Sequence, residues 1–290
     1  MSASRPSVLL VGAGGLGRAI LPALRRAGWP VAGVAARTPA AARRAGRPGF
    51  GPDPATWPRA GLTLLAVPDR EVAGIAALLA RDGGPWRGRA VLHHAGSKGL
   101  APLDPLRTAG ASVGLLHPFQ ALGRGPLART LLPGSRARIE GTGRARTWAL
   151  RAARDLGLVV VPLGPLGDRE RAAWHAAAAV ASNDLVALMS LSVRVLERAG
   201  LGRDEALAAV VPLARGVLSQ LEHGGFADAL TGPVVRADLD TVAAHRAVLE
   251  RLGEEDATVH RLLSRRLVRL AAGHGRLGRN EAAALRRLLD

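Results

Sequence analysis

Residues 8–20 read VLLVGAGGLGRAI, and this stretch decides the architecture of the first part of the chain. Four consecutive apolar residues predict a buried strand. Gly12, Gly14 and Gly17 follow it at GxGxxG spacing, and the next residues have the periodicity of a helix. In such a strand–turn–helix the first glycine permits the tight turn, the second lets a phosphate approach the backbone, and the third lets the helix pack closely. Because free N–H groups at a helix N-terminus attract anions, we expect this turn to bind the pyrophosphate of a dinucleotide. The expected cofactor-binding residues of the turn are Gly12, Ala13, Gly14, Gly15, Leu16 and Gly17.

Short apolar runs alternate with helical stretches over residues 1–165. The predicted strands cover residues 7–12, 31–37, 62–67, 90–93, 112–116, 136–140 and 158–162. Near-continuous apolar strands separated by helices are typical of a parallel sheet that is covered on both faces. Residues 46–57 are rich in Gly and Pro and predict an irregular connection. The sequence therefore predicts an α/β fold with a doubly wound parallel sheet in residues 1–165.

Strand-like runs stop near residue 167, and residues 166–290 predict an all-α C-terminal domain. Helical periodicity covers residues 168–199, 204–223, 239–252, 255–273 and 280–289. The first of these predicted helices is rich in alanine around residues 176–181, which permits close helix–helix packing. We therefore expect a homodimer that forms through the C-terminal helices.

The end of the second predicted strand indicates which dinucleotide is bound. The strand ends in Ala35, Ala36, Arg37 and Thr38 and has no Asp or Glu to bind a ribose 2′-hydroxyl. Arg37 lies 20 residues after Gly17, where its guanidinium can pair with a 2′-phosphate while Thr38 adds a hydroxyl hydrogen bond. This pattern favours NADP over NAD. The alternative is that Arg37 is an ordinary surface charge in an arginine-rich chain.

Composition limits the classes of function. The chain has 290 residues, is 48% hydrophobic and carries a formal net charge of +17, with Lys98 as its only lysine. The arginines are spread along the helices, so we expect a basic surface that attracts small anionic substrates and no nucleic-acid site. The absence of cysteine excludes disulfides and a cysteine nucleophile. Since no signal peptide and no uninterrupted apolar run of about 18 residues is evident, we expect a cytoplasmic protein without a membrane span.

Polar residues at the predicted strand ends are the candidates for chemistry. Val67, Pro68 and Asp69 follow the third strand and are expected to border the nicotinamide, although Asp69 could instead only cap the next helix. We expect either His117 or His175 to be the proton donor, because histidine titrates near neutrality. The alternative for His175 is a hydrogen-bonded core residue, and the alternative for His117 is a residue that only fixes its loop.

Further polar residues are expected to contact the substrate. Ser97 and Asn183 are the candidates to orient it, and Lys98, Ser182 and Thr231 are the candidates to bind it. His93 and His94 are adjacent and point to opposite sides of a strand, and no carboxylate cluster accompanies them, so no metal site is expected.

Five stretches in chain order resemble a family of bacterial Rossmann-like proteins with a helical C-terminal domain of uncharacterised function. They are VLLVGAGGLGRAI, LTLLAVPDREV, VLHHAGSKGLAPLDPLRTAGASVGLLHPFQAL, WHAAAAVASNDLVAL and ALTGPVVRADLDTVAAH. The family is related to pyrroline-5-carboxylate reductases, deazaflavin-dependent NADP oxidoreductases and ketopantoate reductases. The resemblance implies a dinucleotide-binding domain, a dimerising helical domain and an active site between them.

The chain departs from the family pattern at three points. Trp174 stands where Tyr is usual and Arg171 where Lys is common, and the inter-domain helix lacks the catalytic Lys of familiar ketopantoate reductases. The mechanism that uses this Lys therefore cannot be carried over. The expected function is an NADP(H)-dependent reductase of a small carboxylate-bearing ketone, with 2-dehydropantoate as the leading candidate. The alternatives are a reductase of cyclic imines such as pyrroline-5-carboxylate and a non-catalytic dinucleotide-binding protein.

Overall fold

A computed structural model describes residues 4–82, 84–123 and 125–290 of the chain. Internal contacts divide the chain into two compact units, Met1–Ser182 and Asn183–Asp290. The first unit contains the sheet and the second is built from helices. The domain boundary predicted at residue 165 marks the end of the strands, while the helix that follows it belongs to the first unit by its contacts.

One sheet organises the first unit. Its described strands are β1 Val8–Val11, β2 Val31–Ala35, β3 Gly49–Phe50, β4 Leu62–Leu65, β5 Ala90–His93, β6 Ser112–Pro118, β7 Arg136–Gly141 and β8 Val159–Val160. They lie in the order β3-β2-β1-β4-β5-β6-β7-β8. The order reverses at β1, so the carboxyl ends of β1 and β4 flank a topological switch point, where ligands bind in open α/β sheets. The predicted doubly wound sheet is confirmed.

Two features of the sheet differ from the prediction. β7 runs antiparallel to β6, because the described part of the connection between them contains the short 3-10 helix Pro126–Arg129 and no crossover helix of the length that a parallel pair needs. The stretch predicted to be irregular, residues 46–57, contains β3, which pairs with β2. Two residues among glycines and prolines are too few for a periodicity to be visible.

Helices cover both faces of the sheet. The described helices of the first unit are α1 Gly15–Arg26, α2 Pro39–Ala45, α3 Val72–Asp82, α4 Asp104–Thr108, α5 Gly143–Asp155 and α6 Asp168–Ala179. Alternate residues of β1 point to opposite faces: Leu10 packs in one core with Leu24 of α1, and Leu9 packs in another with Leu79 of α3. Burial on both faces explains why the strands are apolar without interruption.

The second unit is helical, as predicted. Its described helices are α7 Leu185–Arg198, α8 Arg203–Ala229, α9 Leu239–Leu252, α10 Glu254–Gly273 and α11 Arg279–Leu289. Val242, Val268 and Leu285 form a core between α9, α10 and α11, and a smaller cluster around Val193 and Val210 joins α7 to α8. The single helix predicted over residues 168–199 is interrupted by the π-helical segment Val180–Asp184, which separates α6 from α7.

One helical stretch, Asp168–Arg198, is long and apolar enough to cross a membrane by length and composition. This stretch differs from the expectation of no membrane span, because its few dispersed polar residues interrupt every apolar run of about 18 residues. One helix of this kind is weak evidence for a membrane span. Only 6% of its most apolar window is buried, so its apolar side chains are largely uncovered within one chain.

Candidate functional site

The glycines of the turn after β1 have different physical roles. Gly12 has a φ of +114°, and a Cβ added to it would lie 2.1 Å from the carbonyl oxygen of Ala66. A Cβ added to Gly17 would lie 2.5 Å from the oxygen of Gly12. Both positions therefore need glycine for the fold itself. A Cβ added to Gly14, by contrast, would meet nothing within 4 Å, so the space beside this exposed residue is open to a ligand.

The N-terminus of α1 begins in this turn. Gly14 is the N-cap and provides no side-chain hydrogen bond, so the first N–H groups of the helix lack a side-chain acceptor. A Cβ added to Gly15 would lie 2.3 Å from the oxygen of Leu122 and 2.7 Å from that of Gly123. Gly15 therefore makes room for a neighbouring backbone segment. The other two turn residues, Ala13 and Leu16, are partly buried. An uncapped helix N-terminus beside an open glycine fits a bound pyrophosphate.

The carboxyl end of β2 carries the residues predicted to select the cofactor. Arg37 is exposed and forms no ion pair within the part of the chain that the structure describes. The hydroxyl oxygen of Thr38 accepts a hydrogen bond of 3.2 Å from the backbone N–H of Ala41 and caps α2. Its hydroxyl hydrogen is still available as a donor. A cation and a hydroxyl donor after β2 fit a 2′-phosphate.

The carboxylate of Asp69 joins the turn after β4 to the loop after β5. Its Oδ2 accepts hydrogen bonds from the backbone N–H of Ser97 at 3.2 Å and from the Ser97 hydroxyl at 2.5 Å. Asp69 begins a 3-10 turn whose N-cap is Pro68, so the alternative in which Asp69 only caps the next helix is not supported. Val67 is partly buried beside Gly12, and Pro68 is exposed. The hydroxyl of Ser97, predicted to orient substrate, already has an acceptor in Asp69.

His93, at the end of β5, is buried and has both ring nitrogens satisfied. Its Nδ1 accepts a hydrogen bond of 3.1 Å from the N–H of Ala95, and its Nε2 donates one of 2.9 Å to the oxygen of Gly99. Burial lowers the pKa of His93 to about 4. His93 is therefore a neutral structural residue at pH 7.

His94 is buried as well, but only one of its nitrogens has a partner. Its Nδ1 donates to the carbonyl oxygen of Leu116 on β6, while Nε2 is buried and has no hydrogen-bond partner among the described residues. Burial lowers the pKa of His94 to about 4. This imidazole is therefore also neutral at pH 7.

His117, near the end of β6, is the candidate proton donor that the fold brings to this group. Its Nδ1 lies 2.9 Å from the backbone oxygen of His94. A Cβ added to Gly96 would lie 2.6 Å from Cε1 and Nε2 of the ring, so the imidazole lies against that glycine. Burial lowers the pKa of His117, and the nearby charge of Arg138 contributes in the same direction. His117 is therefore placed at the strand ends as predicted, with a preference for its neutral form.

An ion pair that the sequence interpretation missed supports the loop after β5. Arg138 and Glu140 of β7 are bonded to each other with side chains that are 0% and 4% exposed. Nη2 of Arg138 donates to the oxygens of Gly96 at 3.1 Å and Lys98 at 3.5 Å. The signal in the sequence was two opposite charges at alternate positions of a predicted strand, which places both on one face.

The beginning of α6 lies beside the same loops. The ring centroid of Trp174 is 4.6 Å from that of Phe119, which follows β6, and its buried Nε1 has no acceptor in the part of the chain that the structure describes. Arg171 lies 3.0 Å from the position of a Cβ on Gly99 and pairs with Asp168. His175 is exposed and close enough to lower the pKa of His117. An indole N–H without an acceptor among the described residues and the Arg171 guanidinium both lie beside the loops that follow β5 and β6, which fits an anionic ligand.

The remaining predicted residues have other surroundings. Lys98 is exposed in the loop after β5. The hydroxyl of Ser182 donates a hydrogen bond of 2.7 Å to the backbone oxygen of Ala178, four residues earlier in the chain. Asn183 is exposed in the π-helical segment and belongs to the second unit, as does the exposed Thr231 between α8 and α9. Across the described residues, no group of three or more His, Asp or Glu side chains is arranged to hold a metal ion.

Comparisons with known proteins agree with this architecture. Residues 1–118 match a Rossmann-like domain, and residues 136–267 match a domain of unknown function, DUF2520. No curated protein matches the chain. Solved structures that are similar to it show its fold.

Three of these structures illustrate the similarity. A candidate NADP oxidoreductase from Bacteroides fragilis has 20% identity and a TM-score of 0.72, with 91% of this chain and 98% of that chain covered. A reductive aminase from Aspergillus terreus in complex with NADPH has 17% identity and a TM-score of 0.60, with 97% and 98% covered. A pyrroline carboxylate reductase from Plasmodium falciparum with NADP bound has 8% identity and a TM-score of 0.58, with 98% of each chain covered. The chain thus carries a Rossmann-like domain followed by a domain that matches DUF2520.

Proposed function

We propose that this chain is an NADP(H)-dependent oxidoreductase that acts on a small carboxylate-bearing substrate. The observation that carries the proposal is the open, exposed Gly14 at the uncapped N-terminus of α1, with exposed Arg37 at the end of the neighbouring strand. Similar structures in complex with NADP or NADPH support it. We expect the enzyme to act in the cytoplasm, without a nucleic-acid or membrane partner.

The cofactor residues follow from this arrangement. The backbone N–H groups of the glycine turn would hold the pyrophosphate, and Arg37 with Thr38 would hold the 2′-phosphate. Val67 and Pro68 would border the nicotinamide half, since they follow β4 at the switch point. When bound, the nicotinamide supplies or takes up the hydride. Side chains of the protein must therefore donate or accept the proton that accompanies the hydride.

The side chains around His117 support an anionic substrate. Trp174 offers a buried N–H that has no acceptor among the residues described. Lys98, Arg171 and His175 lie around the same loops and add basic side chains. A carboxylate would satisfy the indole N–H and gain from these charges. The leading candidate is a keto acid such as 2-dehydropantoate. The cyclic imine pyrroline-5-carboxylate is the alternative, supported by the likeness to pyrroline carboxylate reductases.

Calorimetric titration with NADPH and with NADH tests the cofactor assignment. Arg37→Ala removes the cation proposed to bind the 2′-phosphate, so affinity for NADPH should fall by about 1–3 kcal/mol, or about 5- to 150-fold, while affinity for NADH stays within about twofold. Arg26→Ala is the matched control, because Arg26 is also exposed and lies at the opposite end of α1. Equal losses of NADPH and NADH affinity in Arg37→Ala would contradict the assignment.

Oxidation of NADPH, followed by absorbance, tests the substrate class. We expect turnover with either 2-dehydropantoate or pyrroline-5-carboxylate, and the preferred one identifies the reaction. If NADPH binds tightly but neither compound is reduced, the proposed substrate class is wrong and a non-catalytic dinucleotide-binding protein is favoured.

A further inference from the structure

The hydrogen bonds around His117 determine which of its nitrogens faces a substrate. A carbonyl oxygen can only accept, so the contact of 2.9 Å between Nδ1 and the oxygen of His94 requires the hydrogen to be on Nδ1. A neutral imidazole has one such hydrogen. Nε2 therefore carries a lone pair, and it makes no hydrogen bond with the residues that the structure describes.

The charges around the ring favour this neutral form. Arg138 is a fully buried cation whose position on β7 is the cross-strand partner of His117 on β6, and burial disfavours a second cation. Asp69 acts in the opposite direction, but its Oδ2 is already shared between two hydrogen bonds from Ser97. The titratable and charged groups that face His117 are Asp69 after β4, His93 and His94 at the end of β5, Arg138 on β7 and His175 on α6.

We propose that Nε2 of His117 is a proton acceptor: it binds an O–H or N–H group of the substrate and takes up that proton when the adjacent carbon is oxidised. This inference rests on the proposed function for the oxidant, which is NADP⁺. The C–H bond breaks and its hydride passes to the nicotinamide. The O–H or N–H bond breaks and its proton passes to Nε2, leaving a ketone or imine, NADPH and an imidazolium.

A lone pair on Nε2 distinguishes the reduced from the oxidised member of the substrate pair. A hydroxy acid or an amine presents a donor to the lone pair of Nε2, whereas the corresponding ketone or imine presents none. The reduced member of the pair should therefore bind more tightly than the oxidised member at neutral pH. Reduction of a ketone would need the rarer imidazolium form and should slow as the pH rises, while oxidation should accelerate and then level off.

Nitrogen-15 NMR of the full chain, labelled in its histidine rings, tests the tautomer without any turnover. At pH 7.5 we expect His117 to have a protonated Nδ1 and an unprotonated Nε2, with the signals assigned by their loss in His117→Asn. Addition of NADP⁺ with pantoate or with proline should shift the Nε2 signal for one of these probes. A protonated Nε2 at pH 7.5 would overturn the proposal, and so would an Nε2 signal that neither probe moves.

Two variants separate binding from proton transfer. An Asn side chain can replace Nδ1 as donor to His94 but offers nothing at Nε2, whereas Gln places an amide oxygen near Nε2 that accepts a hydrogen bond but no proton. His117→Asn should lower the oxidation rate of the responding probe by about 100-fold or more and remove its pH dependence. His117→Gln should lose the rate but keep more of the affinity for the probe. His274→Asn, an exposed histidine of the second unit, is the control.

The tautomer of His117 is independent of the cofactor assignment, whereas the probe-induced shift of the Nε2 signal depends on it. The tautomer is measured on the free protein, and NADPH affinity is measured by calorimetry. Failure of NADPH to bind would therefore overturn the proposed function while the NMR signals still report on His117. Conversely, a protonated Nε2 would overturn the role of His117 and leave the cofactor site intact.

Discussion

At the scale of single residues, the glycine turn separates what the fold needs from what a ligand needs. Gly12 is held at a positive φ against the backbone of Ala66, so any side chain there is strained and obstructed. Gly14 has a φ of −75° and a ψ of −171°, values that other residues adopt readily, and open space beside it. The absence of a side chain at Gly14 therefore needs a reason outside the fold.

Alanine at these two positions should have different effects. Gly12→Ala should lower the free energy of unfolding by about 1–3 kcal/mol or more, because of backbone strain. Gly14→Ala should change it by less than about 1 kcal/mol, because the restriction of the unfolded chain is offset by the poor N-capping of alanine. It should nevertheless weaken NADPH binding about tenfold or more, because the methyl group keeps the pyrophosphate from the amides. Urea unfolding and calorimetric titration measure the two quantities. Unchanged NADPH affinity in Gly14→Ala would show that the pyrophosphate binds elsewhere.

The buried pair of Arg138 and Glu140 illustrates how a residue-scale feature escapes sequence interpretation. Two opposite charges in an otherwise apolar strand resemble the solvent-facing positions of an edge strand. The antiparallel pairing of β6 with β7 places Arg138 opposite His117 and within hydrogen-bond distance of Gly96. No local sequence pattern predicts this pairing. Removing one partner from such a pair leaves an uncompensated buried charge, so the two residues depend on each other.

At the scale of elements, the sequence predicts long, regular features well and short or tertiary ones poorly. The apolar runs locate β1, β4 and β5 within two residues, because burial on both faces leaves an uninterrupted signal. The sequence does not predict the two-residue β3 or the π-helical segment Val180–Asp184. Neither is long enough to produce a visible change in the periodicity of apolar residues. In the site, the glycine turn and the placement of His117 could be predicted. The tautomer of His117 could not, because it depends on a carbonyl from another loop.

The end of β5 should make the stability of the fold dependent on pH. Burial lowers the pKa of both His93 and His94 from 6.5 to about 4. The unfolded chain therefore binds more protons than the folded chain between these values, and stability is complete above about pH 6.5 and is lost as the pH falls toward 4. Each histidine should contribute up to about 1.4 kcal/mol per pH unit in this range.

Urea unfolding between pH 7.5 and pH 4.5 measures this dependence. His94→Asn keeps a donor for the oxygen of Leu116 and removes the titrating ring. It should therefore reduce the slope of unfolding free energy against pH by up to about 1.4 kcal/mol per pH unit, the contribution of one proton. His274→Asn, whose imidazole is exposed, should leave the slope unchanged. A wild-type unfolding midpoint that stays constant from pH 7 to pH 5 would contradict the neutral, buried state of these histidines.

At the scale of the whole molecule, the second unit has more apolar surface than one chain covers. Helix α8 uses Ala206 and Val210 to pack on α7. A second stripe of α8, Leu207, Val211 and Leu218, is 47%, 39% and 51% exposed. Residues at these spacings lie along one face of a helix. Contiguous apolar faces of this kind on a soluble protein mark an interface.

The stripe is therefore expected to be the contact between two copies of the chain, in line with the homodimer that the sequence predicts. Leu218→Glu places a charge in this face and should convert a dimer into a monomer in sedimentation equilibrium at micromolar concentration, because burying an unpaired carboxylate costs several kcal/mol. Leu163→Glu introduces the same charge at a residue of the first unit that is 42% exposed, and it should leave the dimer intact. A wild-type chain that sediments as a monomer, or that stays in solution only with detergent, would show instead that this surface serves another partner or a membrane.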